Sequence, residues 1–173
     1  MRHSRSFPVF FVTLLLVSGW FSSVNATVVI RVGLEEMTHA SDVVFHGQVE
    51  RVDVLAPSDG PVTTRMTLRA HEILKGPEHF KDGKLQLHLL GGKGPKYEIR
   101  IPGMPRFRAG ENVVLFLEKT RDDFALTGLL QGVFRVEEQD GMKTVSRSLS
   151  GISLVAYDHD GKMSFVDGAS ELK

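Results

Sequence analysis

Apolar residues recur with a period of two through most of the chain between Thr27 and Tyr157, and turn-forming clusters interrupt them at strand-like intervals. The pattern predicts short antiparallel strands, beginning with a β-rich opening at Thr27–Val32. One stretch departs from it: Leu34, Met37 and Ala40 fall near one face of a short helix over Leu34–Ala40. A long strand is expected over Val43–Val54, with Val43, Phe45, Gly47 and Val49 on one face and His46, Gln48 and Glu50 on the other. The apolar parity then slips to Val52 and Val54, which predicts a β-bulge near Glu50–Arg51. Past the turn Ala56–Pro61, a return strand spans Val62–Ile73, with a second parity change near Ile73. Long bulged strands of this kind let a small sheet coil and close on itself.

Lys75-Gly76-Pro77 ends that hairpin, and Lys84–Leu90 makes a third strand with Leu85, Leu87 and Leu89 inward. Gly91-Gly92-Lys93-Gly94-Pro95 breaks the chain before a short strand at Tyr97–Ile101. Pro102-Gly103-Met104-Pro105 follows, and its two prolines keep it out of any central strand. The run Val113–Leu117 implies a strand over Asn112–Leu117 that is buried on both faces. Phe124–Leu130 and Gly132–Glu137 read as a hairpin, and Lys143–Arg147 and Ile152–Tyr157 as weaker strands. From Asp158 the chain turns polar, with Gly161 and Gly168 as breakers, so 158–173 is expected to be a frayed tail. The fold class is all-β: a small closed or partly open antiparallel barrel over 27–157, with one short N-terminal helix.

Residues 1–26 carry a different pattern. Arg2, His3 and Arg5 precede the apolar run Phe7–Val17, and Val24-Asn25-Ala26 offers small residues for cleavage, so a secretory signal peptide is expected with Thr27 as the mature terminus. The run is shorter than the roughly 20 apolar residues that a spanning helix needs, and no membrane span is expected after cleavage. An exported domain commonly relies on disulfides, but this chain has 0 Cys and must hold together by its core. The roughly 147 residues left are enough for one domain that buries about two-thirds of its unfolded surface. The missing thiols also remove cysteine nucleophiles, thiolate zinc sites and lipid-modified cysteine.

Across the whole chain, 21 Lys and Arg balance 21 Asp and Glu. Losing Arg2 and Arg5 with the leader gives a formal charge of about minus 2 with the signs mixed, which points to neither nucleic acid nor an anionic membrane surface as partner. The densest basic stretch is Lys93, Lys96, Arg100, Arg106 and Arg108, against which only Glu98 stands.

The order of three segments carries a resemblance. Ala40-Ser41-Asp42-Val43-Val44-Phe45-His46-Gly47-Gln48-Val49 is followed by Ile73-Leu74-Lys75-Gly76, and then by Phe107-Arg108-Ala109-Gly110-Glu111 leading into Val113-Val114-Leu115-Phe116-Leu117. Over roughly Leu34 to Val136 this resembles the netrin-like module, the oligonucleotide/oligosaccharide-binding (OB) type barrel that tissue inhibitors of metalloproteinases also use. It is closer still to a cysteine-free group of exported bacterial domains with the same pattern. The resemblance implies an OB-type barrel of five strands or slightly more. Inhibitors of that family set a disulfide-held amino-terminal cysteine over the target's zinc; here Thr27 stands at the expected terminus, so inhibition would rest on likeness of fold alone.

Candidate chemistry is sparse. His46, His71 and His88 lie on the polar faces of their strands, and a meander folded at Ser58 and near His79 would line them up as a three-imidazole shell for zinc or copper. Their other reading is three solvated histidines on an exposed face. No Gly-x-Ser-x-Gly elbow, His-Glu-x-x-His helix or phosphate-binding Gly-x-x-x-x-Gly-Lys pattern occurs, and neither catalysis nor a cofactor is expected. Met104, Arg106 and Phe107 form a proline-stiffened recognition segment, because apolar side chains with Arg are what interface cores use. Phe107 can equally plug the end of the barrel. The expected function is therefore a non-catalytic binding module with a protein partner, periplasmic or secreted. Inhibition of an extracellular metalloprotease and metal binding in the envelope are the alternatives.

Overall fold

The structure, a computed structural model, describes residues 27–95, 97–150, 152–157 and 160–166. The expected signal segment, 1–26, lies outside them. Strand β1 (Thr27–Ile30) leads into helix α1 (Leu34–Ala40), β2 (Val43–Leu55) and β3 (Thr63–Lys75). β4 (Lys84–Leu90) and the two-residue strands β5 (Gly92–Lys93) and β6 (Glu98–Ile99) follow. The chain continues through β7 (Asn112–Lys119), β8 (Phe124–Leu126) and β9 (Val133–Gln139) to β10 (Met142–Ser146), β11 (Ile152–Tyr157) and β12 (Met163–Val166).

The central sheet has seven strands in the order β10-β9-β7-β2-β3-β4, with β8 also on β7. All of its pairs are antiparallel. The fold is mainly β with one short helix among the described residues, as the alternation predicts. Its hydrogen-bonded strand path is open, however, and no pair closes a cylinder among the described residues. Side chains instead link the two ends of that path: His88 Nδ1 of β4 lies 2.6 Å from Oδ2 of Asp123, the residue before β8, and the ring of His79, in the turn before β4, meets that of Phe124 of β8 edge-on at 5.3 Å.

The parity slip in β2 has the cause anticipated for it. The pairing of β2 with β3 jumps between Val49 and Arg51, leaving Glu50 as the bulged residue, and Val52 and Val54 then face the side that Val49 faced before. On β3 the matching irregularities fall at Leu74 and His71, which the register skips.

Three features depart from expectation. First, β3 and β4 pair as Arg65↔His88 and Arg69↔Lys84, not around His79. The connection absorbs residues in a 3₁₀ turn, Pro77–His79, and in a tight turn bridged by Lys81↔Lys84, where Asp82 and Gly83 have φ of 53° and 70°. Asp-Gly with both φ positive is a type I′ turn, and the same signature, Asp140-Gly141, joins β9 to β10. Second, β8 and β9 do not pair with each other. Both run along the same edge of β7, as Leu117↔Leu126 and Leu115↔Val133, so they are one return strand interrupted by a 3₁₀ turn at Leu129–Gly132. Third, β1 joins β11 in parallel, and β12 extends that three-stranded sheet into the segment expected to be tail.

The core follows the alternation. Phe45, Val49, Met66, Leu68, Leu85, Leu87, Val113 and Leu115 pack together in the main core cluster, which Phe107 joins. On the other side Met37 of α1 covers Val44, Phe116 and Phe134, which is why β7 is apolar on both faces.

Candidate functional site

A solvent-open cleft of about 340 Å³ lies beside the main core, between β2–β4, the β5–β6 hairpin and the segment 101–107. Because of the Glu50 bulge, Val52 and Val54 of β2 contribute to its wall, and the cross-strand row Val54–Thr64–Leu89 carries the wall across the sheet. The β5–β6 hairpin crosses close above. A Cβ on Gly92 would lie 2.6 Å from Thr64 Oγ1, and one on Gly91 2.7 Å from the Ile99 carbonyl, so this glycine pair serves close packing. Thr64 Oγ1 donates to the Gly91 carbonyl at 2.8 Å and holds the crossing.

The opposite wall is the proline segment. Pro102 and Gly103, with φ of 77° at Gly103, form a turn closed by Met104 N–H donating to the Ile101 carbonyl at 3.1 Å. All three residues expected to recognise a partner, Met104, Arg106 and Phe107, line the cleft, but in different roles. Phe107 is 9% exposed and belongs to the core; Met104 is half-buried; Arg106 projects to solvent. Arg135 of β9 braces the segment from below by donating to the Arg106 carbonyl at 2.9 Å.

The rim is ionic. Glu98 of β6 accepts from Arg100 Nε at 3.2 Å, from Arg100 Nη2 at 3.3 Å, and from Arg106. The Arg100 hydrogen bonds, helped by the weaker hydrogen bond of Arg106 and the charges of both guanidinium groups, hold the Glu98 carboxyl below the usual carboxylate range although burial pulls it upward. Lys93, cross-strand from Glu98, is also on the lining, which therefore carries three cations and one carboxylate. Glu98 and Arg100 were visible in the sequence only as part of a basic stretch; the β5–β6 hairpin gathers them.

The histidines are divided. The His46 and His71 rings lie 5.4 Å apart, but His88 is opposite Arg65, six residues of β3 away from His71, or about 20 Å at roughly 3.3 Å per residue. The expected row of three is therefore not assembled, because the turns between Gly76 and Gly83 shift β4 along β3. No group of three His, Asp or Glu side chains among the described residues is placed to hold a metal ion.

Burial, and then the neighbouring charges of His71 and Lys143, lower the His46 pKa below 6.5, against a weaker pull upward from Glu72. A depressed imidazole pKa means that the unfolded chain binds more protons than the folded one just below pH 6.5, so stability should fall as the pH drops through that region. Comparing urea midpoints at pH 7 and pH 5 tests this. His71→Gln, which removes one of the repelling charges, should shrink the loss, and an unchanged difference would show that the pair is not coupled.

No protein-family model matches the chain, and no curated protein and no solved structure is significantly similar to it. No helix among the described residues is long and apolar enough to cross a membrane.

Proposed function

We propose that this chain is an exported, non-catalytic binding module that engages a protein partner in the periplasm or outside the cell, through the cleft between the β5–β6 hairpin and the proline segment. The carrying observation is that cleft, with apolar walls at Val52, Val54, Leu89 and Met104 and a rim of Arg100, Glu98 and Arg106. An apolar centre with arginine at its edge is the composition of interface hot spots. Export rests on the leader-like pattern of 1–26.

An OB-type, netrin-like reading of the fold is part of the proposal. It is supported by the strand order β8-β7-β2-β3-β4 and by the side-chain contacts across the β4–β8 seam, where a partly open barrel would have its gap. One observation favours metalloprotease inhibition as a second reading: Thr27 pairs with Ile152, and a Cβ on Gly103 would lie 3.5 Å from Ile152 Cγ2. The expected mature terminus thus lies near the proline loop.

The test is capture from native envelope and culture medium with residues 27–173 as bait, with and without chelator, against a Met104→Gln bait of unchanged circular dichroism. Met104→Gln should cut recovery of the specific partner about tenfold, about 1.4 kcal/mol. Equal recovery would remove the cleft from the proposal, and a captured metalloprotease whose activity falls would promote the second reading.

A further inference from the structure

Resting on that reading, we infer that the cleft takes an extended peptide segment in which acidic side chains alternate with apolar ones. The rim already holds a carboxylate. Glu98 accepts two N–H groups of Arg100 and one of Arg106, and each guanidinium carries five donors in a planar fork suited to carboxylates. Arg100 and Arg106 side chains are 72% and 63% exposed, so an incoming carboxylate can share or displace Glu98 without opening the fold. With Lys93 on the same rim, the excess charge there is positive although the mature chain as a whole is slightly acidic. The cleft attracts anions on its own account.

The apolar walls set the second half of the specificity. Val54, Leu89 and Met104 line a cleft that is open to solvent and is not an enclosed cavity, so it suits side chains projecting from an extended backbone better than a sequestered acyl chain. Alternation in a strand places successive side chains on opposite sides, which would set every second residue toward the apolar wall while the acidic residues between them reach the rim.

The experiment uses residues 27–173 and a dye-labelled, end-capped peptide alternating Asp and Leu, with its Asn-Leu counterpart as control and decanoate as competitor, read by fluorescence anisotropy. The Asp peptide should bind at least tenfold tighter than the Asn peptide, and added salt should erode only that difference. Arg100→Gln combined with Arg106→Gln should abolish the preference, so that the Asp and Asn peptides bind alike. Equal binding of the two peptides, or a preference that survives the double substitution, overturns the inference. Decanoate binding more tightly than the Asp peptide overturns it in favour of a small anionic amphiphile. If native capture still depends on Met104 but no Asp preference exists, only the ligand class fails; if neither dependence exists, the binding-module reading fails with it.

Discussion

Gly47→Ala should abolish stable folding, or lower stability by more than about 3 kcal/mol, a large part of the roughly 5–15 kcal/mol typical of a domain. Gly47 is buried near the middle of β2, and a Cβ there would lie 2.2 Å from the Arg69 carbonyl oxygen and 3.0 Å from a Phe45 ring carbon. No rotamer change relieves contact with a backbone atom, so β2 and β3 would have to separate. The close approach arises where the register passes from His46↔Glu72 to Gly47↔Ala70 and skips His71, bending β3 toward β2. These are the two longest strands among the described residues, and the Glu50 bulge that shapes the cleft lies three residues further on. Gly33→Ala is the control, because a Cβ there meets nothing within 4 Å. Urea unfolding of both variants decides the matter: Gly47→Ala within about 1 kcal/mol of wild type would mean that the strands pass further apart than described.

What was legible in the sequence was local. The slip from Val49 to Val52 marked the Glu50 bulge, because a strand with one buried face cannot change parity without an extra residue. Two prolines around Met104 marked a segment outside the ladders, and all three residues singled out there line the cleft. Phe107 packs into the core and also contributes to the lining of the cleft. What was not legible depended on long-range registration. The His88 placement failed because the number of residues consumed by the β3–β4 connection sets the register, although Asp82-Gly83 carried a type I′ signal. The parallel β1–β11 pair joins segments far apart in sequence, and alternation within a strand says nothing about its partner. Glu98 became meaningful only once β5 and β6 paired and Arg106 came round from the proline turn.

Gln131→Leu should release the amino-terminal segment while leaving the central sheet folded. Gln131 is fully buried in the turn between β8 and β9, a position that alternation marks as a loop. Its side-chain amide acts as a surrogate strand residue: Oε1 accepts from Val32 N–H at 2.9 Å, and Nε2 donates to the Ile30 carbonyl at 2.9 Å. Leucine fills the volume but supplies neither group, and each backbone group left without a partner costs about 1–3 kcal/mol. That loss falls on a four-residue strand whose only ladder among the described residues is with β11, so it should appear as local opening before global unfolding. Hydrogen exchange at Val32 should accelerate at least tenfold, while amides of the β2–β7 ladder keep their rates. Gln131→Glu separates hydrogen bonding from packing. An ionised carboxylate can still accept from Val32 but repels the Ile30 carbonyl, whereas a protonated one restores a donor. Burial raises the pKa of such a carboxyl, so its stabilising form is present at low pH and lost as the pH rises through the folded-state pKa. The Glu variant should therefore be the most open of the three at pH 8 and move back toward wild type in mild acid. Exchange that speeds up evenly across the central sheet would show that Gln131 supports the whole fold and does not pin its amino-terminal strand.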